Sequence, residues 1–113
     1  MIVTAWNNGA HSRNGRDYGF RISHPDRDEF FKKEWTVIVL EFEGEPALVE
    51  VPVDAQSFWS ETGKELTSPA VGRWLRHNGL APWPKGNPPT IVLEPIAENR
   101  FRLSKAYKGA KHI

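Results

Sequence analysis

The sequence predicts a mainly β fold, a small open or pseudo β-barrel with two short α-helices, and leaves a β-sandwich as the alternative. Several short segments alternate apolar with polar residues, which is typical of half-buried strands. Turn-forming residues separate these segments, and two helix patterns that begin near a proline lie between them. We favour the barrel because closing or nearly closing a sheet removes its exposed edges.

The composition is that of one globular domain, residues 1–113, with 39% hydrophobic and 26% charged residues. The chain contains no cysteine, which excludes disulfides, thiolate metal sites and thiol catalysis. No segment has the apolar length of a membrane span, and the N-terminus lacks the pattern of a signal peptide. We therefore expect a cytoplasmic protein with no membrane partner; the sequence sets no oligomeric state.

The N-terminal elements are two strands and a helix. Ile2–Trp6 is a candidate strand, and residues 18–22 alternate large apolar side chains with glycine and arginine, which predicts a strand with one buried face. A short helix then begins near Pro25 and ends near Lys33, with acidic residues in its first turn and lysines at its end, as the helix dipole favours.

Residues 35–53 predict a β-hairpin, because a β-branched run is followed by a turn around Gly44 and by alternating valines. A second helix begins at Ser68 as N-cap and stops at Asn78-Gly79, and its apolar face assigns Trp74 to the core. Residues 90–94 and 100–104 predict a closing strand pair. The basic tail 105–113 could be ordered, disordered or a linker.

The charge is uneven along the chain although the net charge is only +1. Residues 25–56 carry nine carboxylates against three cations, whereas residues 1–24, 57–89 and the tail are basic. If these segments separate in space, the protein has a basic face of the kind that binds phosphates, and the alternative is an ordinary mixed surface.

The first polar segment, residues 7–17, is rich in asparagine, glycine and arginine and has no apolar period. Arginine and asparagine form paired hydrogen bonds with guanine and adenine edges, and glycine permits close approach to a phosphate backbone. The candidate DNA contacts here are Asn8, Arg13, Asn14 and Arg16. The alternative is a flexible loop whose Asn-Gly pairs form turns.

The second polar segment lies within residues 57–87 and matches no simple strand pattern. Its candidate phosphate contacts are Lys64, Arg73, Arg76 and Lys85, although a helix dipole also explains cations near a helix C-terminus. Trp59 and Trp83 are candidates for stacking on a base, with packing against the barrel as the alternative.

Catalytic and metal-binding patterns are absent from the sequence. No acidic residue is followed two places later by lysine, so the D/E-x-K nuclease triplet is incomplete, and the four histidines lack zinc-ligand spacing. We expect no cofactor and no catalysis by this domain.

The order of elements resembles that of the DNA-binding pseudobarrel superfamily, which includes plant transcription-factor domains of the B-three type and the DNA-recognition domains of some restriction endonucleases. The resemblance covers residues 6–103: a polar arm, the strand Tyr18-Gly-Phe-Arg-Ile22, a helix, the hairpin 35–53, a basic connection with a helix ending in Arg73-Trp74, and the closing strands. It implies two arms, 7–17 and 57–87, that grip the major groove. Glu61 and Glu65 in the second arm depart from a purely basic arm.

These observations predict a non-catalytic, sequence-specific double-stranded DNA-binding domain, free-standing or fused to a catalytic domain such as a nuclease. The alternative is a protein-interaction or regulatory module that uses the exposed tryptophan and proline loop, since interface centres favour tryptophan and arginine. RNA or modified-base binding would use the same residues.

Overall fold

The computed structural model describes residues 1–9, 18–60 and 65–106. Its strands form one seven-stranded sheet curled into a half-barrel, with 44% of the described residues in strands and 21% in three short helices, which confirms the predicted mainly β, open-barrel class. In chain order the elements are β1 (Ile2–Asn7), β2 (Tyr18–Arg21), α1 (His24–Phe30), β3 (Val37–Phe42), β4 (Glu45–Pro52), α2 (Gln56–Trp59), β5 (Glu65–Thr67), α3 (Pro69–His77), β6 (Thr90–Ala97) and β7 (Arg100–Lys105).

The strand order across the sheet is β4-β3-β7-β6-β1-β2-β5. All neighbouring strands are antiparallel except β3 and β7, which run parallel. The predicted hairpin is β3–β4, and the predicted closing pair is β6–β7 at the centre of the sheet. The tail begins later than the sequence suggested, because Lys105 ends β7 and its backbone N–H donates to Glu43 Oε1 over 3.0 Å.

The core lies on the concave face of the sheet. Alternating side chains of the strands are buried there, as the period of two requires, with Phe20, Leu40 and Phe101 among the members, whereas β4 buries only Val51. Phe31, at the end of α1, stacks on Phe101 with ring centroids 4.8 Å apart. The aromatic side chains therefore fill the half-barrel and join the first helix to the central strands.

The helices cover the two open ends of the half-barrel. α3 lies over the end formed by Asn7, Tyr18 and Glu43, here called the α3 rim, because Ser68 N–H donates to the Tyr18 carbonyl over 3.1 Å and Trp74 Nε1–H to the Glu43 carbonyl over 2.9 Å. Trp74 is fully buried, as predicted. α1 and α2 cover the opposite end, formed by Arg21, Val37 and Val53 and here called the α1 rim.

The helix punctuation read from the sequence is confirmed at α3. Ser68 Oγ accepts a hydrogen bond from the backbone N–H of Ala70, Pro69 is the first helical residue, and Gly79 beyond the end has a φ of 71°. α1 is shorter than predicted, because Phe31 is already extended, with φ −118° and ψ 147°. Lys33 therefore lies beyond the helix.

The second polar segment, which matched no simple strand pattern, contains two elements that the sequence did not indicate. β5 pairs antiparallel with β2, and α2 is a single helical turn. Both elements are too short for a periodic pattern to be visible. Gly19 makes the β5 pairing possible, because a Cβ at this position would lie 2.8 Å from Leu66 C, inside the backbone of β5.

The described residues contain no helix that is both long enough and apolar enough to cross a membrane.

Candidate functional site

The first polar segment begins and ends at a paired position on the α3 rim. Asn7 at the end of β1 pairs with Tyr18 at the start of β2. Asn8 follows and is exposed, and Gly9 has a φ of 106° while its N–H donates to Asn7 Oδ1 over 2.6 Å. The remaining candidates of this segment, Arg13, Asn14 and Arg16, lie outside the described residues.

Tyr18 joins the base of the first segment to the second segment. Its side chain is fully buried, and the ring of Trp83 meets it edge-on at a centroid distance of 5.5 Å and an angle of 71°. The guanidinium of Arg76 lies 5.7 Å from the centre of the same ring. The sequence left open whether Trp83 stacks on a base or packs against the barrel; the half-buried indole packs against the core and leaves part of the ring accessible.

α3 presents a cationic flank beside this junction, defined by Arg73, Arg76 and His77. The spacing i, i+3, i+4 places these residues on one side of the helix, away from its buried face. His77 Nδ1 lies 3.4 Å from Glu45 Oε2, so this end of the flank meets an acidic residue. Arg73 is exposed and forms no ion pair with any residue in the described ranges.

An open cleft of about 660 Å³ lies on the outer face of β1 and β2, below the connection that follows α3. Thr4 and Trp6 point outward from β1, because Val3 and Ala5 point into the core. The cleft residues are Thr4, Ala5, Trp6, Asn7, Gly9, Arg21, Trp83, Lys85, Gly86 and Pro88.

The connection above the cleft is attached to the sheet at both ends. Trp83 contacts Tyr18 as described, and the Pro89 carbonyl accepts from the Ala5 N–H over 2.9 Å. Between them Asn87 N–H donates to the Pro84 carbonyl over 3.0 Å and Gly86 has a φ of 83°, so the chain turns tightly. Lys85 at this turn is exposed.

Trp59 lies at the α1 rim, at the opposite end of the sheet from Trp83. Its Nε1–H donates to the Val53 carbonyl over 2.9 Å, and the Arg27 guanidinium lies 5.3 Å from its ring centre. The two tryptophans therefore share no surface patch. Lys64, the remaining candidate of the second segment, lies outside the described residues.

Arg27 has a structural role that the sequence did not indicate. It is only 7% exposed, and its Nη1 donates to the carbonyls of Phe58 over 2.9 Å and Ser60 over 2.8 Å. Its Nε also lies 3.1 Å from Asp28 Oδ1. This one guanidinium holds α1 against the end of α2, which precedes the undescribed residues 61–64.

Most arginines on the outer face of the sheet are paired with carboxylates. Arg21 Nε lies 3.1 Å from Glu65 Oε2. Arg102 donates to Glu41 over 3.1 Å, and Arg100 Nε lies 2.8 Å from the same carboxylate at an angle that is not that of a hydrogen bond. The basic character of residues 100–105 is therefore partly neutralised by Glu41, which belongs to the acidic middle of the chain.

One carboxylate outside this region has a shifted pKa. Glu98, in the turn between β6 and β7, accepts from Trp35 Nε1–H over 2.9 Å and from Lys32 Nζ over 3.1 Å. These hydrogen bonds, the indole's being the larger effect, lower the pKa of the Glu98 carboxyl. Within the described ranges no group of three histidine or acidic side chains is placed to hold a metal ion.

The structure brings together part of the predicted site. Arg76 and Trp83 both contact Tyr18. Asn8 directly follows Asn7, which pairs with Tyr18, and Lys85 lines the cleft together with Asn7 and Gly9. The sequence reasoning missed Trp6 and Arg21 as cleft residues. Their outward direction was readable from the alternation in β1 and β2, but the connection that covers them was not. No protein-family model, curated protein or solved structure matches this chain.

Proposed function

We propose that this domain binds double-stranded DNA without catalysing a reaction on it, and that it reads the major groove with its two polar segments, 7–17 and 57–87. The single observation that carries the proposal is the junction at Tyr18, where Arg76 and Trp83 contact the residue that closes the first segment. The first segment and the part of the second segment that follows β5 are distant in sequence and thus lie at the same rim. The resemblance to pseudobarrel domains supports the same arrangement.

The charge pattern supports a specific rather than a generic DNA binder. Arg73 and Lys85 are exposed cations without an ion pair in the described part of the chain, and they flank the junction in sequence. Glu45 and Glu43 lie on the same rim and reduce its positive potential. Because these carboxylates offset the described cations of the rim, we expect weak non-specific affinity and discrimination that comes mostly from base contacts.

Fluorescence anisotropy with a duplex obtained by selection from a randomised pool tests the proposal. The Arg73→Gln variant should bind the selected duplex more weakly and reduce the slope of log K against log salt by about 1. Lys33→Gln is the matched control, because Lys33 is an exposed cation at the α1 rim, beside Trp59. No enrichment of any sequence at low salt would rule out specific recognition, and an equal effect of the two variants would rule out the α3 rim as the binding surface.

The second candidate function is a protein-interaction or regulatory module. The observation that favours it is the lining of the cleft, in which Trp6, Trp83 and Pro88 supply the apolar surface that interface centres prefer. A protein complex that forms in the absence of DNA and is lost in the Trp6→Ala variant would support this candidate. If the complex forms only when DNA is added, this second candidate function is wrong.

A further inference from the structure

We infer that the cleft on the outer face of β1 and β2 binds a nucleoside 5′-phosphate, supplied either as an unpaired nucleotide of a DNA strand or as a free mononucleotide. If the nucleotide belongs to a DNA strand, this site rests on the proposed DNA-binding function and names the part of the nucleic acid that the cleft binds. If the nucleotide is free, the site is independent of DNA binding.

The size of the cleft suits one small ligand. Its volume of about 660 Å³ lies within the range of small-molecule sites, on the order of 300–1,000 Å³. One wall is the outer face of β1 with Trp6, and the other is the turn that carries Lys85 and Gly86. The β2 residue opposite Trp6 is Gly19, so no β2 side chain covers the indole.

The aromatic lining suits a base. Trp6 and Trp83 are both half-buried, so each indole is held by the protein while part of it remains accessible. Trp83 is fixed by its edge contact with Tyr18, which is itself fully buried. Indole faces that are held in place stack on any nucleobase, because every base has a π-face.

The charges of the lining suit a phosphate. Among the described residues, the ionisable side chains that line the cleft are Arg21 and Lys85, and no carboxylate is in that lining. Arg21 is paired with Glu65 at 3.1 Å, whereas Lys85 forms no ion pair within the described ranges. A cleft with a net positive lining selects an anion. We therefore assign the phosphate to Lys85 and the base to the indoles.

The cations also argue against a proline-rich peptide. A tryptophan and proline surface alone would accept such a peptide. Proline-rich peptides commonly carry basic residues of their own, which would need carboxylates in the groove. The described lining has two cations instead. Binding of a proline-rich peptide is therefore a result that would contradict the nucleotide site.

The test measures quenching of tryptophan fluorescence by deoxyadenosine 5′-monophosphate, with deoxyadenosine as the probe that lacks the phosphate. The wild type should show saturable quenching by the monophosphate. Lys85→Gln should weaken the binding of the monophosphate without changing the binding of deoxyadenosine. Trp6→Ala should weaken the binding of both about 10-fold or more. Lys33→Gln, which removes a cation at the α1 rim and not in the cleft, should leave both unchanged.

The source of the nucleotide is decided by comparing a duplex that contains one bulged adenine with the same duplex fully paired. Preference for the bulge that is lost in Lys85→Gln assigns the cleft to a strand, and monophosphate binding without such a preference assigns it to a free nucleotide. If the protein binds the monophosphate but no duplex, DNA recognition fails while the cleft assignment stands.

Three results would overturn the inference. The first is no saturable quenching by the monophosphate at millimolar concentration. The second is monophosphate binding that Lys85→Gln does not weaken; because Lys85 is exposed, this variant should fold even if Trp6→Ala does not. The third is a proline decamer that binds the cleft and is not displaced by the monophosphate.

Discussion

Replacing Arg27 by methionine should reduce the stability of the domain by about 3 kcal/mol. The guanidinium makes two hydrogen bonds to backbone carbonyls, Phe58 at 2.9 Å and Ser60 at 2.8 Å. A hydrogen bond to a charged group contributes about 1.5–3 kcal/mol, so the two together reach about 3–6 kcal/mol. We take the lower end, because the Ser60 carbonyl is only partly buried and water can replace its donor. Methionine preserves the apolar stem that packs in this position.

Urea denaturation measures the effect directly. With a slope of about 1–3 kcal/mol/M for a small protein, the midpoint of Arg27→Met should fall by roughly 1–3 M. Arg73→Met is the matched control, because Arg73 is exposed on α3 and its substitution should change stability by less than about 0.5 kcal/mol. If the two variants have the same stability, the buried guanidinium does not hold α1 to α2 and the reasoning is wrong.

Two further substitutions test the β2–β5 edge and the β6–β7 turn. Gly19→Ala should destabilise by about 1–3 kcal/mol in urea denaturation and raise amide exchange at Leu66, because the new Cβ would enter the β5 backbone; wild-type stability would contradict this. Glu98→Gln should lower Tm at neutral pH, because the Trp35 and Lys32 hydrogen bonds lower the pKa of the folded carboxyl. The stability that the Glu98 carboxylate contributes is fully present above pH 4.5, the ordinary pKa of the group, and is lost as the pH falls through the lower pKa of the folded protein. The Tm difference between the wild type and Glu98→Gln should therefore shrink in acid. A difference that does not vary with pH would refute this cause.

The elements that the sequence predicted are those with strong local signals. Ser68, Pro69 and Gly79 mark the ends of α3 by chemistry that operates within a few residues, and the valines of β4 alternate regularly. β5 and α2 have no comparable signal because three or four residues cannot establish a period. The parallel pairing of β3 with β7 joins residues about 60 positions apart, and no local pattern encodes such a register.

The candidate site was predictable in its residue types but not in its arrangement. Outward placement of Arg73 and burial of Trp74 follow from the period of α3. That Trp59 and Trp83 lie at opposite rims depends on the strand order, which only the folded chain reveals. Ion pairs such as Arg21–Glu65 also change the charge available to a ligand, and they join residues distant in sequence.

The position of β6 and β7 in the sheet has a consequence for how the domain is made. β3 and β4 reach the rest of the sheet only through β7, and β1, β2 and β5 only through β6. Ile2 pairs with Val92, so at a synthesis rate of about 5–20 residues per second the first strand waits roughly 5–20 s for its partner. The edges of β3 and β1 that β7 and β6 cover stay unpaired during that interval, and the β6–β7 hairpin then joins the two groups of strands into one sheet.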